Sequence, residues 1–135
     1  YALLTDIILA TPETVFQDKP HFEFGIVPGD GMHIVWPEVI GSIRGRYFLL
    51  TRQVLDAATA KEWGVVNEIV PADRLLARAH EIADGIATLP PLTSRYTRMA
   101  LTQRLRRVVA EGASYGLALE GISAAQVARD MAAQG

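Results

Sequence analysis

Pro28-Gly29-Asp30-Gly31 restricts the fold of this chain more than any other stretch, because it is built to turn. Proline presets φ, glycine accepts positive φ, and aspartate can cap the first turn of a following helix. It closes a longer segment, Pro20-His21-Phe22-Glu23-Phe24-Gly25-Ile26-Val27 and on to His33, that carries two of the three histidines. A turn flanked by imidazoles and held by a rigid scaffold is where chemistry is expected.

The remaining elements are arranged about that turn. Residues 1–10 read as a buried strand, and Val15-Phe16-Gln17 as a short second one. The Asp30-Gly31 corner starts a helix through Ile34 and Trp36, which Pro37 kinks or restarts. Residues 44–50 continue helical with Tyr47, Phe48 and Leu50 on an apolar face, and residues 51–55 form a short extended link. Asp56 caps a helix over residues 57–63, Gly64 ends it, and residues 65–70 have a strand pattern closed by Pro71. From Asp73, apolar residues Leu75, Leu76, Ala79, Ile82, Ala83 and Ile86 recur at helical spacing until Leu89-Pro90-Pro91. Two more helices are expected, over residues 94–111 and through Leu117, Leu119, Ile122 and Val127, with Gly112 and Gly116 loosening the junction. The pattern is α/β in its first half and helical in its second.

Composition narrows the function classes. With 135 residues, the chain is one domain or part of a larger one, and 50% hydrophobic with 21% charged residues is ordinary for a globular core. A net charge of -2 argues against a nucleic-acid surface as the main business. The absence of cysteine excludes disulfides, thiolate catalysis and zinc–thiolate sites, and suits a reducing cytoplasm. Asp6 interrupts the first apolar run and no basic stretch precedes it, so no signal peptide is expected. No window approaches the roughly 20 apolar residues of a membrane span. The chain opens on Tyr1 inside an apolar run, which predicts a fragment or a processed chain.

Three groups of residues could carry chemistry. His21 and Asp30 flank the turn, and a histidine held by a carboxylate is a good general base; otherwise His21 is a loop histidine and Asp30 only a cap. His33 follows Asp30 by one helical turn, so it either competes for the same carboxylate or lies half-buried beside Trp36. A metal site from His21, Asp30 and His33 matches no common ligand spacing, and none is expected. Glu120 is a lone acid within Leu117-Ala-Leu-Glu-Gly-Ile122, facing either a site or interface, or a narrow exposed edge. Arg95, Arg98, Arg104, Arg106 and Arg107 make a basic helix, either a solvated face or a surface for an anion or a neighbouring subunit. His80 sits on a surface helix. The Gly25–Gly31 segment lacks the spacing and the Lys-Ser/Thr pair of a phosphate loop.

In order, Ile7-Ile8-Leu9-Ala10, Phe16 ahead of Pro20, Gly25-Ile26-x-Pro28-Gly29-x-Gly31, Arg46-Tyr-Phe-Leu-Leu-Thr51 and Gly64-Val65-Val66-Asn67-x-Ile69-Val70 resemble the crotonase (enoyl-CoA hydratase/isomerase) superfamily. The resemblance covers nearly the whole chain. It departs from the hydratases where their chemistry sits: after Pro20 a hydratase carries a catalytic glutamate, and here His21 stands. Pro20-His21-Phe22, the Gly25–Gly31 segment, Trp36-Pro37 and Gly45-Arg-Tyr-Phe-Leu-Leu-Thr51 are similar instead to the superfamily's β-diketone hydrolase branch, which breaks carbon–carbon bonds without coenzyme A.

The resemblance implies an α/β fold: the C-terminal part of a ββα spiral over residues 1–70, followed by a helical trimerisation region over residues 71–135. It implies His21 as base, Asp30 as its carboxylate partner and Glu120 as a further active-site acid. The reaction would be retro-Claisen hydrolysis of a cyclic or bicyclic 1,3-diketone to a keto acid, with no metal and no organic cofactor. The implied partners are the small diketone and an N-terminal half of the fold, which would supply a second active-site histidine. A homotrimer or hexamer in the cytoplasm, binding neither nucleic acid nor membrane, is expected. The alternatives are a CoA-thioester hydratase or isomerase, with Arg98 serving a CoA phosphate, and a non-catalytic crotonase-like fragment.

Overall fold

Trp36 and Phe48 are almost fully buried with their ring centroids 4.2 Å apart, and the first half of the chain assembles on that pair. The computed structural model describes residues 2–134. Trp36 lies on α2 (Met32–Ile40) and Phe48 on α3 (Ser42–Leu50), two helices joined at Gly41. At their crossing Gly45 abuts Pro37, where a Cβ would come within 2.7 Å of the proline backbone. Pro37 stays inside one continuous α2, and the close approach of Gly45 is what it packs against. Phe16 meets Trp36 edge-on at 6.4 Å, and Ala10, Ile40, Leu49, Leu55, Ala57, Ala60, Val65 and Val66 complete the core. Burial of a side chain such as Phe48 contributes about 1.5–3 kcal/mol.

Among the described residues, four short strands frame this core. β1 (Leu9–Ala10) runs parallel to β4 (Glu68–Ile69), with Leu9 opposite Glu68 and Ala10 opposite Ile69. β2 (Val15–Gln17) runs antiparallel to β3 (Val54–Asp56), with Phe16 opposite Leu55. The expected ten-residue first strand contracts to β1, preceded by a single 3-10 turn at Ala2–Leu4; Tyr1, which that expectation included, lies outside the described residues. The strand expected over residues 65–70 likewise contracts to β4. Val65 and Val66 are pinned instead by backbone N–H bonds to the Ala60 carbonyl, and both are core residues.

Helix ends follow local chemistry. Asp56 caps α4 (Ala57–Glu62) by accepting the Thr59 N–H at 2.7 Å, and Gly64 leaves it with φ +79°. α5 (Ala72–Ala87) is fastened to β4 by a two-pronged pair, Arg78 donating to Glu68 at 2.8 and 2.9 Å.

The second half departs from expectation in one respect. No junction interrupts it: α6 (Pro91–Gln134) is a single 44-residue helix, about 66 Å long at 1.5 Å per residue. Gly112 and Gly116 each weaken a helix by about 1 kcal/mol relative to alanine. Both are used as contact points instead. A Cβ on Gly112 would press on Ile34, and one on Gly116 would collide with the His33 ring and the Gly29 carbonyl. The missing side chains let α6 lie directly against α2 and the turn before it. Arg104 reinforces the crossing, donating to both oxygens of Glu38 at 2.8 and 3.1 Å.

Candidate functional site

The segment ahead of the turn is helical. α1 (Lys19–Glu23) has Pro20 in its first turn, where the missing N–H would be unpaired anyway. Gly25, at φ +68°, ends it: the Gly25 N–H bonds the Phe22 carbonyl and the Ile26 N–H bonds the His21 carbonyl, a Schellman closure. The sequence carries a signal for this helix, as Pro near its start and Gly just past its end. The two are so close that the stretch reads as a lead-in to the turn.

At the start of α1 the usual capping pattern is rearranged. The Lys19 N–H is taken by the Gln17 side chain at 2.6 Å, and Pro20 has no N–H to offer. Asp18, at the N-cap position, makes no side-chain cap bond. Its Oδ1 faces His21 Nδ1 at 2.5 Å instead, while its Oδ2 is buried with no partner among the described residues. Asp18 is 5% exposed.

Across the turn, Gly31 occupies the N-cap of α2 with φ +116°, a value glycine tolerates. Asp30 lies one residue earlier than a cap would. Its Oδ1 accepts the Met32 N–H at a long 3.4 Å, and its Oδ2 stands 3.9 Å from His21 Nε2. The carboxylate hydrogen-bonded to His21 is therefore Asp18, where the sequence pointed to Asp30. Asp30 approaches the opposite nitrogen of the ring.

Glu120 arrives from α6. Two features fix its position: the Gly29–Gly116 approach, and Ser123, whose Oγ accepts the Val27 N–H at 2.9 Å and donates to the Glu120 carbonyl at 2.9 Å. One nitrogen of His21 and one oxygen each of Asp30 and Glu120 lie within 4.8 Å of one another. Glu120 Oε2 is buried and has no partner among the described residues. His21, Asp30 and Glu120 thus meet, although α6 is far along the chain. The cluster offers one nitrogen and two oxygens, a donor set that suits general-base chemistry on water and could also hold a cation.

His33 is not part of the group. Its Nδ1 bonds the Pro28 carbonyl at 3.0 Å and its ring packs against Gly116, so it locks the turn to α6. Of the arginines on α6, Arg98 pairs with Asp6 at 2.6 Å and Arg104 with Glu38. A cavity of about 260 Å³ opens beside Asp30, walled by Leu3, Leu4, Met32, Val35 and Trp36. A larger apolar one of about 560 Å³, walled by Phe22, Ile26, Val27 and Leu50 among others, touches none of the three clustered residues.

Opposing influences set the ionisation of His21. Partial burial is the largest and disfavours the imidazolium. The hydrogen bond to Asp18 and the charges of Asp18, Asp30 and Glu120 together outweigh it and hold the ring above its ordinary value.

Comparison with known proteins gives a consistent outline. The enoyl-CoA hydratase/isomerase family profile matches residues 1–127. A probable enoyl-CoA hydratase of Mycobacterium bovis is 29% identical over 114 residues, 84% of this chain and 44% of the relative. A β-diketone hydrolase of the cyanobacterium Anabaena sp. PCC 7120, solved bound to (S)-3-oxocyclohexyl acetic acid, superposes with a TM-score of 0.92 at 58% identity, covering 94% of this chain and 51% of that one. The enoyl-CoA hydratase of Mycobacterium tuberculosis H37Rv superposes with a TM-score of 0.84 at 25% identity, covering 97% and 57%. The chain spans about half the length of the proteins it matches.

Proposed function

Since this chain belongs to the enoyl-CoA hydratase/isomerase family, also called the crotonase superfamily, we propose that it is the C-terminal half of a β-diketone hydrolase. The observation that carries this reading is the convergence of His21, Asp30 and Glu120 on one small volume. A water held there by the two carboxylates loses a proton to His21 and attacks one carbonyl of a bicyclic 1,3-diketone. The tetrahedral intermediate collapses with cleavage of the bond to the carbon between the carbonyls, which leaves as an enolate. The second carbonyl delocalises the charge of that leaving group. The proton taken up by His21 returns to the enolate carbon, so diketone plus water gives one keto acid. Glu120, whose Oε2 is buried, is suited to relay that proton.

The ligand of the Anabaena enzyme supports this substrate class. In 3-oxocyclohexyl acetic acid, joining the carboxyl carbon to the ring carbon next to the ketone and opposite the acetate-bearing carbon, with loss of water, gives a bicyclic 1,3-diketone. The motif likeness noted in the sequence extends to 6-oxocamphor hydrolase, whose branch performs this chemistry. An N-terminal half would complete the site, and residues 71–135 would build a trimer or a hexamer.

The second reading is a CoA-thioester enzyme, favoured by the hydratase relatives. Against it, Arg98 is already engaged by Asp6, and a CoA phosphate would have to break that pair. The separating experiment assays the full-length enzyme against a bicyclic 1,3-diketone and against crotonyl-CoA. His21→Ala should lower diketone turnover by at least about 100-fold, the lower range for a positioned base. Undiminished turnover in that variant overturns the assignment of the base, and hydration of crotonyl-CoA in place of diketone cleavage selects the second reading.

A further inference from the structure

We propose that Asp18, and not Asp30, is the positioning residue that fixes the orientation and tautomer of the His21 imidazole. The proposal deepens the hydrolase reading and rests on it for its kinetic part. Its geometry stands by itself. Asp18 Oδ1 lies 2.5 Å from Nδ1, whereas Asp30 Oδ2 lies 3.9 Å from Nε2, beyond hydrogen-bond range. An ionised carboxylate only accepts, so Nδ1 must carry the proton and Nε2 is left with its lone pair. That lone pair is on the nitrogen that Asp30 approaches at 3.9 Å, within the cluster that includes Glu120.

The local sequence makes Asp18 available for this task. An aspartate at an N-cap ordinarily spends its oxygen on the N–H of the second or third helical residue. In Gln17-Asp18-Lys19-Pro20-His21, Gln17 satisfies the first N–H, proline abolishes the second, and the carboxylate turns to the imidazole of the third residue. Five consecutive residues thus carry both the imidazole and the carboxylate that meets it. Asp18 is only 5% exposed, so its carboxylate is largely shielded from water. The roles divide accordingly: Asp18 holds the ring, while Asp30 and Glu120 face the water that the ring deprotonates. The carboxylates around the ring outweigh its burial and leave His21 more basic than an isolated histidine, which agrees with an Nδ1–H engaged by an anion.

The test is nitrogen-15 NMR of histidine-labelled full-length protein, combined with pH-dependent kinetics. In the wild type above the His21 titration, Nδ1 should show the shift of a protonated nitrogen and Nε2 that of an unprotonated one. Asp18→Asn should erase that preference and lower the His21 titration midpoint. It should move the acid limb of kcat/KM on the diketone to lower pH, and reduce kcat by about 100-fold or more with KM changed no more than about twofold. A proton found on Nε2 in the wild type overturns the proposal, as does an Asp18→Asn protein whose tautomer and titration match the wild type. The wild-type spectrum decides the tautomer even if the variant does not fold. If no diketone is turned over, the hydrolase reading fails while the spectrum still decides the role of Asp18.

Discussion

A proton on His21 is worth more inside this fold than in the unfolded chain, and that difference has a sign. Because the imidazole is held above its ordinary value of about 6.5, the stability it contributes is fully present below that pH. It is lost as pH rises through the folded value. The proposed hydrolysis needs the opposite state, a neutral base, so kcat/KM of the full-length enzyme should fall on the acid side with a midpoint above 6.5. A midpoint at or below that value counts against His21 as the base. His21, Asp30 and Glu120, which the structure brings together, each stand out in the sequence as candidates, the first two from the turn and Glu120 as a charge in an apolar run. Asp18 does not, because an aspartate in a polar lead-in carries no mark of what it binds. Its partner is chosen by the diversion of the N-cap bond, which only the folded backbone shows.

Among the elements, glycine is the most misleading letter. Gly112 and Gly116 promise a junction, since glycine favours a break by about 1 kcal/mol per residue. Flanking helix formers and the packing of α6 on α2 override that preference. Gly116→Ala should therefore destabilise by about 1–3 kcal/mol, the range for overpacking a tight contact, because the new methyl strikes the His33 ring and the Gly29 carbonyl. Gly121 has open space around its Cβ position, so Gly121→Ala should stabilise by up to about 1 kcal/mol. Thermal unfolding of the two variants measures the contrast; equal shifts would mean that Gly116 is not a contact point. Short elements with paired signals are legible in the sequence, as with Val15–Gln17 and the Asp56-capped α4. The apolar runs near residues 1–10 and 65–70 promise longer strands than form, because two-residue pairing in the sheet leaves the flanking residues to turns and core.

At the scale of the whole molecule, the chain leaves much apolar surface uncovered. Leu101 is 78% exposed and Leu76 71%, with Leu92, Met99, Leu117 and Ile122 also open on α6. Exposed apolar side chains in this number are suited to an interface. The sheets have two strands each and expose unpaired edges. Among the described residues no helix is long and apolar enough to cross a membrane. Residues 1–135 alone should self-associate with concentration in sedimentation velocity and show no diketone turnover, while co-expression with an N-terminal half of a crotonase fold should yield a stable, active assembly. Turnover by the isolated chain would refute the second expectation. The site itself is divided between near and far. Asp18, His21 and Asp30 belong to one short stretch, whereas Glu120 is brought in by a helix whose tie to Val27 spans 96 residues of sequence. The basicity of a single imidazole therefore keeps a record of assembly, one increment from its own neighbourhood and another only once the distant helix has closed over it.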